Sequence, residues 1–392
     1  MNIKTSLLSL LLCCASAANV QAQTLELPED AVCPDWQSEI PRVVFPDRDL
    51  VDLYEKTWEI AAGRVRKGPE GMAASPYLDE NCYEDQIWIW DGCFMVLFSK
   101  YAPKAYLGKE TLMNYYVPIH DHVRTPLLIH LRDNPPLFAW VENENYRFTG
   151  DREQVNKVLY DKQYLQKHFI YFDTIPQGNV NTDVSPAYNP IHRGVVHDSE
   201  GNIIGYTWHG GASGMDNNAT GDYWRGGIWL PTAYMGTKAL EKYGYYDLDD
   251  ELAERVVRLQ LRTYQSVEPH TIWECYSPSA DQPSTEHGRR ARPNFCGWSA
   301  LGPISLFIEN IMGFRSANAL TRTVTWSLKA GNGTHGLRHF HFGDITTDLI
   351  YNAETGRIEA DSNKPFLLNV NGKKIKVKAG KHSYPLAEKY IK

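Results

Sequence analysis

The chain has 392 residues, with 47 Asp and Glu against 40 Lys and Arg and a formal net charge of -7. That acid excess argues against nucleic acid or an anionic membrane as partner, and the length allows a core large enough to hold without disulfides. The 11 Trp and 23 Tyr stand out, because in an exported protein such rings divide between the core and carbohydrate platforms.

Residues 1–22 carry Lys4, an apolar run from Leu7 to Cys14, and small residues ending Val20-Gln21-Ala22. This pattern reads as a secretory signal cleaved after Ala22, too short to span a membrane. It places the mature chain in the periplasm or outside the cell. A lipoprotein signal competes with this reading through Cys13 and Cys14, but Leu11 and Leu12 stand where a small residue is expected. No other stretch reaches membrane-spanning length. Cleavage leaves Cys33, Cys82, Cys93, Cys275 and Cys296, an odd number, so at least one thiol stays free. Buried thiols are the ordinary expectation, Cys82 with Cys93 is the pair to test, and no spacing matches a zinc site.

Residues 23–46 form an N-terminal extension. Asp47 then caps a helix in which Leu50, Leu53, Tyr54, Trp58, Ala61 and Val65 recur at helical spacing, ending near Gly68-Pro69. A loop over Pro76 to Glu80 leads into Ile87-Trp88-Ile89-Trp90-Asp91-Gly92-Cys93-Phe94 and a helix through Phe98. Asp91, between aromatics at a helix start, can hold sugar hydroxyls or simply act as an N-cap. Asn134-Pro135-Pro136 starts the next helix, Thr149-Gly150-Asp151 breaks it, and Asp151 with Gln154 reads as a capping box for its antiparallel successor.

A Gly-, Asn- and Pro-rich stretch from Thr174 to Gly211 follows, a candidate wall over a cleft. Its His192, His197 and His209 do not pair at metal-ligand spacing. Next come Ser213-Gly214-Met215-Asp216-Asn217-Asn218 and Tyr223-Trp224-Arg225-Gly226-Gly227-Ile228-Trp229. Here Asp216 can trade a proton, Arg225 can fix hydroxyls, and Trp224 or Trp229 can stack on a sugar face. A helix from Ile228 to Tyr243 is stopped by Gly244, and Asp249-Asp250 caps another through Leu261. In Trp273-Glu274-Cys275-Tyr276-Ser277-Pro278 a carboxylate sits between two rings, which suits acid or base work but also fits a surface Glu beside core aromatics. Gly297-Trp298-Ser299-Ala300 opens a buried helix through Met312.

Beyond Ser316 the period changes from helical to alternating. Val324, Trp326, Leu328, Phe340, Phe342, Leu349 and Tyr351 face one way, and Asn371-Gly372 marks a hairpin. His335, His339 and His341 read as strand surface.

Taken in order, Trp88-Ile89-Trp90-Asp91, Asn134-Pro135-Pro136, Ser213-Gly214-Met215-Asp216-Asn217, Tyr223-Trp224-Arg225-Gly226, the 273–278 run and Gly297-Trp298-Ser299-Ala300 resemble the trehalase and processing α-glucosidase superfamily. The resemblance extends to mannosylglycerate hydrolases and runs from about Leu50 to Met312. It implies an all-α, six-hairpin (α/α)6 toroid over 47–315, to which the alternating period adds a small C-terminal β module over 316–392. It implies inverting hydrolysis of an α-linked glycoside, glucoside or mannoside, with Asp216 as general acid and Glu274 as general base. Trp90, Asp91, Asn134, Trp224, Arg225, Trp273, Tyr276 and Trp298 would hold the sugar, with no metal or cofactor.

Two departures accompany the resemblance. Ala212 stands where relatives carry Glu, and Asn218-Ala219-Thr220 where they carry Ser-Pro-Arg. Only Asn217 to Asp222 separate the acid motif from Tyr-Trp-Arg-Gly, which leaves about eight helices against roughly twelve in a closed toroid. The ring is therefore expected to be abridged, with an open cleft and an exposed apolar patch beside 211–226. A carbohydrate-binding protein without turnover and a polysaccharide lyase are the alternatives.

Overall fold

The structure, a computed structural model, describes residues 29–80, 83–130, 137–174, 196–197, 203–205, 221–224, 226–286 and 288–391. The leader, Cys82, Asn134, His192, His209, Asp216 and Arg225 lie outside the described residues, as does most of the cleft expected beside 211–226.

Helix α1 (Arg48–Ala62) starts as its sequence dictates. The Asp47 carboxylate accepts the Leu50 N–H at 3.3 Å, and Leu50, Leu53, Tyr54, Trp58 and Ala61 are buried on one face. The helix stops at Gly63 rather than near Gly68 because Val65–Arg66 pairs as a short strand with Tyr77–Leu78. Helix α2 (Ile89–Ser99) is buried at every position, as a helix without a polar face must be. Against it pack α3 (Gly108–His120) and α4 (Phe138–Thr149). Gly150 ends α4 in the left-handed region, at φ 71°.

Asp151 caps the following turn through the Gln154 N–H at 2.9 Å, but the Gln154 side chain turns to Glu142 at 2.8 Å instead of closing the box. Helix α5 (Tyr164–Thr174) lies beyond it. Helices α6 (Leu230–Lys242) and α7 (Tyr246–Ser266) pack on each other. Asp249 does not cap α7, which begins a turn earlier. It is buried inside the helix, where it accepts from Arg315 at 2.5 Å and Asn310 at 2.8 Å. The helix Gly302–Ile311 is wound with π geometry, wholly buried, and packs against α1 and α7.

The all-α expectation is overturned by the strands. Strand β1 (Arg42–Val44) comes from the N-terminal segment. It is followed by β2 (Ser316–Asn318), β3 (Thr323–Trp326), β4 (His335–Phe342), β5 (Ile345–Asn352), β6 (Arg357–Ser362), β7 (Phe366–Val370), β8 (Lys373–Val377) and β9 (Gly380–Pro385). One sheet has the order β1-β4-β5-β6-β9, antiparallel throughout, and a second has the order β2-β3-β7-β8. The alternating residues Val324, Trp326, Leu328, Phe340, Phe342, Leu349 and Tyr351 are all buried.

The sheets are not an appended module. Phe45 meets Phe307 edge-on at 5.2 Å, Phe314 stacks on Trp326 at 4.4 Å, and Phe148 meets Phe340 at 5.9 Å. One apolar core therefore runs from the helices into the strands, and the fold is α+β, with helices and sheets sharing a core. The described helices are not arranged as a helical toroid with a small addition.

The hairpin marked by Asn371-Gly372 joins β7 to β8, with φ 48° and 90° at its two turn residues. His335 is fully buried rather than on the strand surface, its Nδ1 2.8 Å from the Gly333 carbonyl. His339 and His341 are half-buried. Cys93, Cys275 and Cys296 are buried free thiols and Cys33 is an exposed one; Cys82, the expected partner of Cys93, lies outside the described residues. No described helix is long and apolar enough to cross a membrane.

Candidate active site

Three segments far apart in sequence meet at the N-terminal ends of α2 and α6. Trp88 and Trp229 occupy the N-cap positions of those helices. The loop from Thr271 to Trp298 is tied to the α6 entrance by paired bonds between Ile228 and Tyr276, at 2.8 and 3.0 Å. It is tied to the loop before α6 by the Tyr223 N–H on the Thr285 carbonyl.

Glu274 is the centre of this arrangement, and its backbone is fixed on both sides. Its N–H donates to the Arg292 carbonyl at 2.9 Å. Its own carbonyl accepts from the Trp298 indole at 2.7 Å and from the Ser299 hydroxyl at 3.3 Å. The carboxylate is 2% exposed. One oxygen accepts from the Tyr223 hydroxyl at 2.9 Å and the other from Arg292 at 2.6 Å. Burial pushes this carboxyl up, while the Arg292 charge and both hydrogen bonds pull against it. The result is an oriented carboxyl with one hydrogen-bond donor on each oxygen among the described residues.

Arg292 does more than pair with Glu274. It also meets Glu286 at 3.2 Å and donates to the Tyr83 hydroxyl at 2.9 Å, so its guanidinium is held from three sides. Next to this pair lie two further carboxyls. Asp91, in the first turn of α2 and 5% exposed, is pushed well up first by burial and then by the Glu274 charge. Glu80 is pushed well up by burial and by Asp79 and Asp91. Asp79 instead accepts from Arg66 at 2.9 Å. Gly297 seats these groups together, because a β-carbon there would stand 2.9 Å from both Asp91 Oδ1 and Glu80 Cβ. The site thus sets a carboxyl paired with Arg292 beside two carboxyls whose protonated, donating form burial favours.

The aromatic residues divide by role. Trp224 and Trp229 stack face to face at 3.5 Å and 7°, with Trp298 5.4 Å from Trp229 and Phe295 4.6 Å from Trp298. This slab forms one wall beside Tyr223, whose ring is 4.9 Å from Trp229. Trp90 is fully buried against Phe94 at 4.8 Å, so it supports Asp91 from behind. Tyr276 is a brace, its hydroxyl accepting from the Trp273 N–H at 2.9 Å and from Gln260 at 3.1 Å. The buried Trp273 indole N–H has no hydrogen-bond partner among the described residues.

The structure therefore brings together Asp91, Trp224, Trp273, Glu274 and Trp298, and places Trp90 and Tyr276 behind them. Asp216, Asn134 and Arg225 lie outside the described residues. Tyr223, Arg292 and Glu80 were not among the sequence candidates. Tyr223 stood inside a quoted motif, whereas Arg292 belongs to a run, Arg289-Arg290-Ala291-Arg292, that reads as an ordinary charged surface.

No family model matches the chain. An uncharacterized protein of Borreliella burgdorferi is 25% identical over 142 residues, covering 32% of this chain and 29% of that protein. Among solved structures, a sialidase superposes with a TM-score of 0.43 and 11% identity, over 88% of this chain and 41% of the sialidase. The chain thus spans less than half the length of either protein.

Proposed function

We propose that the protein is an exported α-glycoside hydrolase that inverts the anomeric centre, as the motifs it shares with trehalases and processing α-glucosidases suggest. Glu274 is the general base and Asp216 the general acid. The observation that carries this reading is the Glu274 carboxylate. It is buried, aimed by Tyr223, charge-stabilised by Arg292 and walled by a Trp224–Trp229 stack.

A base that activates water must be fixed in direction and shielded from bulk solvent, as Glu274 is, and the Arg292 charge beside it favours its ionised form. In the proposed reaction Asp216 protonates the leaving oxygen while Glu274 takes a proton from water attacking the opposite face of the sugar. This geometry requires the two carboxyls to stand about 6.5–9.5 Å apart. Asp91 in its protonated form donates to a sugar hydroxyl. The tryptophan wall packs against the sugar's apolar face.

The test is a screen of purified protein against α-linked gluco- and manno-disaccharides, with the anomer of the first product followed by proton NMR. Inverted product, lost in both Asp216→Asn and Glu274→Gln with melting temperature unchanged, is the expected result. Retained anomeric configuration, or near wild-type turnover in either variant, would overturn the assignment. Sugar binding without turnover would point to a binding protein, and an unsaturated product absorbing in the ultraviolet to a lyase.

A further inference from the structure

We propose that the protein carries a second saccharide-binding site, at the opposite ends of the helices that build the first. The Trp88 end of α2 and the Trp229 end of α6 form the Glu274 site. Their other ends, at Lys100 and Lys238, open into a separate cleft of about 520 Å³ between the helices and the strands β2 and β4. That volume lies within the range of small-ligand pockets, about 300–1,000 Å³.

The floor of the cleft is Glu309, buried and saturated. Its carboxylate accepts from Tyr101 at 2.6 Å, Lys100 at 3.2 Å, Lys238 at 2.6 Å and Tyr234 at 3.1 Å. Lys238 also donates to Glu241 at 2.9 Å, which still leaves it one donor. Each ammonium has three donors, and each phenol oxygen that donates to Glu309 can still accept. The floor therefore presents spare donors and acceptors side by side. A hydroxyl group, which donates and accepts at once, matches that pattern.

Charge narrows the ligand class. Glu144, Glu241 and Glu309 line the cleft with Lys100, Arg147, Lys238, Lys242 and Arg315, the last with its guanidinium bound to Asp249 and Asp250. An anion would face three carboxylates and a cation would face the ammoniums, whereas a neutral polyol meets no like charge. Two rings complete the setting. Trp140 is half-buried on one wall, and Tyr246, half-exposed, lies across from it with Arg315 over its ring at 5.7 Å. Aromatic faces beside paired polar groups are what a pyranose needs, because its C–H face packs on a ring while its hydroxyls bond at the edge. Tyr243 and Tyr245 stand exposed next to Tyr246 on the α6–α7 turn and extend this surface outward.

This inference rests on the cleft itself and does not require hydrolysis at Glu274. The test uses Glu274→Gln protein, so that sugar is not consumed, titrated calorimetrically with maltotriose and mannotriose. The expected result is two equivalents bound per chain for at least one of the sugars. Adding Arg147→Ala and Lys242→Ala, both at the solvent-facing rim, should weaken one equivalent at least about tenfold through lost charge-assisted hydrogen bonds, with melting temperature unchanged. Crystals soaked in the same sugar should show it beside Trp140 and Tyr246. A single equivalent beside Glu274, no binding of either sugar, or two equivalents untouched by the rim substitutions would overturn the proposal. Two-site binding without turnover in the wild type would retain this site and remove the hydrolase reading.

Discussion

Glu274 and Glu309 are the same residue type, equally hidden from solvent, at opposite ends of one helical layer, and their surroundings drive them in opposite directions. Burial raises both. At Glu274 one guanidinium and one phenol only partly offset it, and the carboxyl stays above its usual value. At Glu309 two ammoniums and two phenols overcome it, and the carboxyl is held down to about 2. Burial alone therefore does not decide whether a carboxyl is reactive. The number of fixed positive charges around it does, and the end with fewer is the end where a proton can move.

The strongest way to break this comparison is to neutralise each glutamate in turn. Glu274→Gln should lower turnover by about 10²–10⁴-fold with little change in stability, since only a proton acceptor is lost. Glu309→Gln should do the reverse. Leaving Lys100 buried without its countercharge, and Lys238 with Glu241 alone, should destabilise the fold by about 3–5 kcal/mol in chemical denaturation, with turnover per folded molecule retained. If both variants lose activity and stability alike, the two ends do not differ in role.

A pH profile sharpens the contrast further. Glu274 acts as base only when ionised, so activity rises with pH through its pKa. Removing the neighbouring charge in Arg292→Gln should raise that pKa and move the acid limb of kcat upward by about 1–3 pH units. An unmoved limb would mean that another group sets it.

Acid unfolding reads the other end. Because the Glu309 carboxyl is depressed in the folded protein, its contribution to stability is present above its unfolded value, near 4.5, and is lost as pH falls toward about 2. Wild type should lose stability over that window, and Glu309→Gln should lose less.

The smallest effect is expected at Glu80, whose folded-state value is raised. Its protonated form is the stable one, so it costs stability as pH rises above the usual carboxyl range. Glu80→Gln should therefore match wild type at pH 4 and equal or exceed its melting temperature at pH 8.

What the sequence disclosed follows the range of the interactions involved. Asp47 capping α1, the alternation through Trp326 and Phe340, and the Asn371-Gly372 turn depend on neighbours a few residues away, and all are found as read. Glu274, Trp224 and Trp298 were legible as a set because aromatics crowd around them in short motifs. Arg292 was not, since its meaning comes from Tyr83 and Glu286 as much as from Glu274. Asp249 looked like a helix cap because Asp usually is one near a helix start, and only the distant Arg315 makes it a buried ion-pair partner. The fold class went astray for the same reason. Helical periodicity in the first three quarters of the chain is real, but nothing local reveals that Arg42–Val44 leaves that region to pair with β4.

That strand has a consequence for the order in which the protein is completed. Arg42 lies opposite Arg338, so the edge of the larger sheet joins two segments far apart in the chain, the first made well before the second. Until β4 emerges, β1 is an unpaired edge and Phe45 lacks the sheet residue His335, which lies 6.4 Å from it. Closing so long a loop is entropically slow, and the waiting edge is a site for mispairing. Strand β4 thus acts as a clasp: a chain interrupted before residue 335 would leave its first strand open to the wrong partner.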